Sequence, residues 1–308
     1  MNTDALPDSD AGSRPIPPAP LSPTRPMYWS IQRELWENRS IYLAPLIAGA
    51  LFLFGFLISS THLPRTMRTA SALDAAQQQT LIEQPYTFVA LLSMGTTFLV
   101  AIFYCLDALH GERRDRSILF WKSLPVSDRT TVISKAIIPI VVLPLISFAV
   151  TVVMQWIMLL LSTAVLTASG VGAATLWTHL PLFKMSLILL YHLVVVHGLY
   201  FAPIFCWLLL VSAWARRAPF LWAGLPLLVI GGFEKIVFNT SLFFHALGSR
   251  MSGGGGDFPT PDTSVTIHPL THFASFDFLI SPGMWFGLAV AAAFLAVAIR
   301  LRRNREPI

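Results

Sequence analysis

Five stretches of this chain contain no Asp, Glu, Lys or Arg: Ser40 to Pro64, Gln84 to Leu106, Ala136 to Phe183, Met185 to Ala215 and Phe278 to Ile299. A helix needs about 20 apolar residues to cross the hydrocarbon core of a bilayer. Inside that core only helices and closed barrels satisfy their own backbone groups. A barrel would need short alternating segments separated by turns, and these blocks do not alternate. Only 12% of the 308 residues are charged and 55% are hydrophobic, against about 25% charged in soluble domains. The sequence therefore predicts an all-α, polytopic integral membrane protein.

Ala136 to Phe183 spans 48 residues, too many for one crossing, and Pro181 before Lys184 marks a turn near its end. Six spans are predicted, at 41–59, 87–106, 136–161, 183–211, 220–238 and 283–299. Pro45, Pro139, Pro144, Pro203 and Pro226 fall inside them, which neighbouring groups in a membrane bundle can accommodate.

The cations set the orientation. Sixteen of the 21 Lys and Arg residues lie in the N-terminal segment, in 107–135, at Arg216-Arg217 and in the C-terminal tail. Basic residues stay on the cytoplasmic side, and two spans separate each basic segment from the next. Both termini and the 107–135 loop are thus expected in the cytoplasm, with 239–282 on the outside of the cell (inner) membrane. The first 26 residues hold seven prolines and no apolar core. They read as a disordered tail rather than a signal peptide, leaving 27–308 as the membrane domain. The net charge of +5 is taken up by this topology, so no nucleic-acid partner is expected. Cys105 and Cys206, near the cytoplasmic ends of spans, are expected as free thiols.

Between Tyr28 and Arg39, Trp29, Leu35 and Trp36 alternate with Gln32, Arg33, Glu34 and Glu37 at helical rhythm. An amphipathic helix along the inner membrane surface fits this pattern, with Trp29, Arg33, Glu34 and Trp36 as its interfacial residues. A plain extension of the first span fits equally well.

The segment "DALHGERRDRSILFWKSLPVSDRTTVISK", 107–135, holds ten of the 37 charged residues. Mixed signs at helical spacing suit a solvated helix or a surface that docks with a charged partner. The apolar "ILFW" returns to the membrane surface. Leu124-Pro125-Val126-Ser127 breaks the helix, and Ser127-Asp128 caps the next one, which carries Lys135 into the third span. An anchored loop with ordinary basic bias explains the same composition.

Other polar residues are weaker candidates. His192 and His197 lie five apart, about 140° around an α-helix, which does not suit a shared metal. His62, His179, His245, His268 and His272 fall on the external side as single loop residues. Glu234 and Lys235 sit inside the fifth span, where ionisable groups are candidates for transport, although Lys235 can snorkel outward. The 239–282 segment contains "SGGGGDFPTPD" and reads as loop joining short re-entrant helices such as "KIVFNTSLFFHAL".

The order "RELWENRSIYLAP", a span, an external loop, a second span, then "LPVSDRTTVISK" resembles the permease subunits of type-2 ABC (ATP-binding-cassette) exporters. The matching residues are Glu112, Arg113, Ser117, Leu124, Pro125, Val126, Ser127 and Lys135, and the resemblance covers about 27–308. It implies that the loop contacts a separate ATP-hydrolysing subunit and transmits its motion. The contact would fall to Glu112, Arg113, Arg114, Asp115, Arg116, Leu124, Pro125, Ser127, Asp128 and Arg129. ATP and Mg would be held by that partner, because this chain has no G-x-x-x-x-G-K-[ST] phosphate cradle. The resemblance also implies a second permease copy or a paralogue, since six spans are half the family's usual twelve. An ion- or proton-coupled carrier using Glu234 and Lys235 is the alternative. A membrane-embedded enzyme lacks any nucleophile–base pair to support it.

Overall fold

The computed structural model describes residues 24–70, 73–123, 126–251 and 282–304, and the elements among them are helical, with no strand. Residues 1–23, the Leu124-Pro125 half of the expected turn, and 252–281 with His268 and His272 lie outside the described residues. Along the chain run α1 (Thr24–Glu37), α2 (Ser40–Ser60), α3 (Leu63–Ala70), α4 (Ala75–Ala108), α5 (His110–Arg114), α6 (Ser117–Ser123) and α7 (Asp128–Ile137). They are followed by α8 (Leu143–Ala168), α9 (Ala174–His179), α10 (Leu182–Tyr191), α11 (Ala202–Trp214), α12 (Pro219–Phe238), α13 (Leu242–Met251) and α14 (Pro282–Asn304). Six helices are long and apolar enough to cross a membrane: Ser40–Ser60, Ala75–Arg114, Asp128–Ala168, Leu176–Tyr200, Pro219–Phe238 and Pro282–Asn304. Helix α1 starts at Thr24, three residues before the boundary expected from composition. Pro26 is tolerated there because the first helical turn has no intrahelical N–H bonds to lose.

Apolar side chains point both ways, as a bundle in lipid requires. Inside, Ile41, Tyr104, Cys105, Leu143, Phe205 and Leu209 join α2, α4, α8 and α11 in one core. Towards the opposite end, Ile82, Tyr86, Met158, Leu166, Leu176 and Met185 join α4, α8, α9 and α10. Outside, Leu51 on α2 is 68% exposed and Ile236 on α12 is 86% exposed. In water such faces would associate; against acyl chains they are matched. Both cysteines are buried and free.

Two spans depart from the continuous helices expected. The third passes through a π-helical turn, Ile138–Val142, with Pro139 inside it and Pro144 just after it. The fourth, expected as one helix over 183–211, is divided: α10 gives way to a π-helical segment, His192–Tyr200, then a break at Phe201 before α11. The two irregular segments touch. A Cβ on Gly198 would stand 2.7 Å from the Ile140 carbonyl oxygen, so only glycine allows this approach. Pro144 supplies no N–H to that carbonyl four residues back. Past the break, Ile204 N bonds the Phe201 carbonyl at 2.9 Å, and the Tyr200 carbonyl accepts from Arg250 Nη1 of α13 at 3.2 Å. Non-helical backbone at membrane depth is thus covered by neighbouring protein, as it must be.

Candidate functional site

At one end of the bundle α1, α5, α6, α7 and the final turns of α11 and α14 converge. Ser127 makes the first local arrangement: its hydroxyl accepts from Thr130 N at 3.1 Å and caps α7. The cap fixes Asp128 in the first turn and Lys135 seven residues on, on the same helical face. Helix α1 brings Arg33 and Glu34, with Glu34 turned inward at 1% exposure while Trp29 and Trp36 face out.

Glu112 of α5 is the hub of the cluster. Its Oε1 accepts from Arg33 Nη2 at 3.0 Å and lies 3.1 Å from Lys135 Nζ, and its Oε2 accepts from Arg302 Nη1 of α14. Lys135 Nζ also donates to Glu34 Oε1 at 2.7 Å, and Tyr104 OH donates to Glu34 Oε2 at 2.8 Å. Arg302 Nε reaches Asp128 Oδ1 at 3.1 Å. Three acids (Glu34, Glu112, Asp128) thus face three bases (Arg33, Lys135, Arg302) with formal charges that cancel, and the more exposed Glu37 adds a fourth carboxylate 3.5 Å from Arg33 Nε. Burial opposes the Arg33 cation, but the carboxylates of Glu34, Glu112 and Glu37 outweigh it and raise its pKa above the ordinary value. The Arg33 guanidinium also covers the Trp121 ring of α6 at 3.9 Å, a cation–π contact.

A second set of bonds ties α5 to the end of α11. Ser212 Oγ accepts from Leu109 N at 3.0 Å and His110 N at 2.8 Å, closing the gap between α4 and α5. Arg113 Nη1 donates to the carbonyls of Ala213 (2.7 Å) and Ala215 (3.2 Å). Those are terminal carbonyls of a helix, which a cation suits both as donor and by charge.

No family model, curated protein or solved structure matches the chain.

The residues expected to meet a partner divide into two groups. Glu112 and Arg113 are buried and bonded within the chain, so they are not an outward docking surface. Asp128 is half-buried on Arg302. Arg114, Asp115, Arg116 and Arg129 are exposed, with Arg114 Nε 3.1 Å from Asp115 Oδ1. Ser127 serves as a helix cap, and Leu124 and Pro125 lie outside the described residues. Of "ILFW", Ile118 is buried and Trp121 lies under Arg33, while Leu119 and Phe120 project outward at 58% and 61% exposure. The outward face therefore combines exposed charge with two large apolar side chains.

In the sequence, Lys135 stands out only through the resemblance, and Arg302 only as one of several topological cations. Tyr104 and Ser212 give no signal there, since a single hydroxyl within an apolar run is common in spanning helices.

The remaining candidates resolve by local geometry. The 140° between His192 and His197 holds for an α-helix, but both lie in the π-helical segment. Its i→i+5 bonding stacks residues five apart instead of splaying them. His197 sits among Phe98, Phe201 and Phe205, with ring centroids 5.7–6.1 Å away. Among the described residues no group of three metal-ligating side chains occurs. Glu234 caps α13: it accepts from Thr240 Oγ1 (2.7 Å), Leu242 N (2.7 Å) and Phe243 N (2.8 Å). Lys235 is exposed.

Proposed function

We propose that this chain is the permease subunit of an ATP-driven exporter, with the charged end in the cytoplasm of a cell whose inner membrane it spans. The observation carrying the proposal is the position of Glu112, held at once by Arg33, Lys135 and Arg302 from three other helices. A force on α5 or α6 is passed to α1, α7 and α14 without a slack tether between them. The exposed face of Arg114, Asp115, Arg116, Leu119 and Phe120 is where a separate ATP-hydrolysing subunit would bear, and ATP and Mg belong to that partner. The pairing of two permease copies, or of a copy and a paralogue, is part of the same proposal and rests on the resemblance.

The carrier alternative needs ionisable groups within the spans. Glu234 already accepts three hydrogen bonds at the start of α13, which favours anchoring over transport.

Purification of the full chain from its native membrane, followed by assay for bound ATP hydrolysis, tests the proposal. A co-purifying ATPase whose recovery falls when Arg114, Asp115 and Arg116 are reversed in charge is the expected result. A chain that transports after reconstitution with no ATPase present would overturn it.

A further inference from the structure

Towards the end of the bundle opposite the charge cluster, α11, α12, α13 and α14 line an open-sided cavity of about 730 Å³. That volume falls within the range of small-molecule sites, which are mostly apolar with a few placed polar groups. Its walls include Pro203, Trp207, Leu208, Leu227, Phe243 and Phe294, and Arg250 is the one charged residue lining it among the described residues. Arg250 lies over the Tyr200 ring at 4.6 Å and donates to the carbonyls of Tyr200 (3.2 Å) and Gly283 (2.7 Å). Gly287 leaves no room for a Cβ beneath the guanidinium. These partners orient the cation but none of them neutralises it, and guanidinium has five N–H donors.

Polarity and depth point the same way. Arg250 sits beside Tyr200 and Gly283, where α11 and α14 begin. The apolar walls continue about 9 Å along α11 from Ala202 to Leu208, by the helical rise per residue. A cation at one end and a long apolar slot running towards the bilayer middle match an amphiphile with an anionic head and an acyl tail.

We infer that this cavity binds a membrane lipid with a phosphate-bearing anionic headgroup, from the leaflet opposite the charged end. The headgroup meets Arg250, for which phosphate and guanidinium are geometrically matched, and one tail lies along the packed rings of Trp207 and Phe294, whose centroids are 5.5 Å apart. The site is independent of the exporter proposal, since occupancy requires no ATPase.

Native mass spectrometry of the full chain in uncharged detergent tests it, titrating dioleoyl phosphatidylglycerol against dioleoyl phosphatidylcholine. The two lipids have identical tails, so a difference reports on the head. The wild-type chain is expected to prefer the anionic lipid about tenfold, the size of one charge-assisted hydrogen bond. Arg250→Gln should remove the preference, and Arg250→Lys should keep most of it. Leu227→Trp, which fills the slot and leaves the cation, should weaken both lipids at unchanged melting temperature. If Arg250→Gln lowers the melting temperature, the Leu227→Trp result alone decides. Equal uptake of both lipids by the wild type, or undiminished uptake of both by Leu227→Trp, overturns the site.

Discussion

Lys135 Nζ and Glu34 Oε1 lie 2.7 Å apart across 101 residues of sequence, both side chains almost fully buried. The contact binds the surface helix α1 to the start of the third span. It is also the place where the charged end is most sensitive to a single change.

Lys135→Met leaves Glu34 and Glu112 with one fewer cation in a buried setting. Breaking such a pair from one side costs about 3–5 kcal/mol. The double variant with Glu34→Gln should be less destabilised than the two single losses added together, because neighbours in one network are not additive. Thermal and denaturant unfolding in neutral detergent would measure both; simple additivity would show the pair to be uncoupled.

Ser212→Ala removes the acceptor shared by Leu109 N and His110 N. Two buried N–H groups are then orphaned, at about 1–3 kcal/mol for each unsatisfied group. The expected signature is faster hydrogen exchange confined to 109–116. Exchange unchanged in that window would show that another group replaces the hydroxyl.

Gly198→Ala drives a methyl group against the Ile140 carbonyl. Overpacking of this kind costs about 1–3 kcal/mol, and here it would separate the two π-helical segments. A lowered melting temperature with intact membrane insertion is expected. A neutral substitution would mean that the third and fourth spans slide apart freely.

Glu234→Ala removes the cap of α13. Exchange across 240–251 should rise, while membrane abundance stays the same. If the residue only caps, the exporter proposal expects Glu234→Gln, which keeps one carbonyl oxygen, to match wild type in export. Lost export in Glu234→Gln with α13 still protected would return the residue to the transport path.

The contrast between Glu112 and Arg114 separates buried from exposed charge in one short helix. Reversing Glu112 faces three cations with a fourth and should abolish folding, read as loss of monodisperse protein. Reversing Arg114 together with Asp115 keeps their mutual pair and should leave the melting temperature unchanged. Any effect on ATPase recovery by the second variant then reports on docking rather than on folding.

The sequence by itself determined that this chain has six helices apolar enough to span a membrane and roughly where five of them run, but not the division of the expected 183–211 span at Phe201. Long uncharged blocks allow few other solutions, and the Ser127 cap of α7 is a contact within three residues. It could not decide which of Glu112, Arg113, Arg114 and Asp115 faces inward, because four consecutive charges surround a helix and only the neighbours choose the buried face. Those neighbours are distant: Arg33 is 79 residues and Arg302 is 190 residues from Glu112. The π-helical bends were equally hidden, since proline marks a place where a helix can yield and not how it does. Tertiary structure drew Glu112 and Lys135 of the loop into a buried ion cluster with Arg33, Glu34 and Arg302 because, out of water, each carboxylate is tolerated only within reach of a cation.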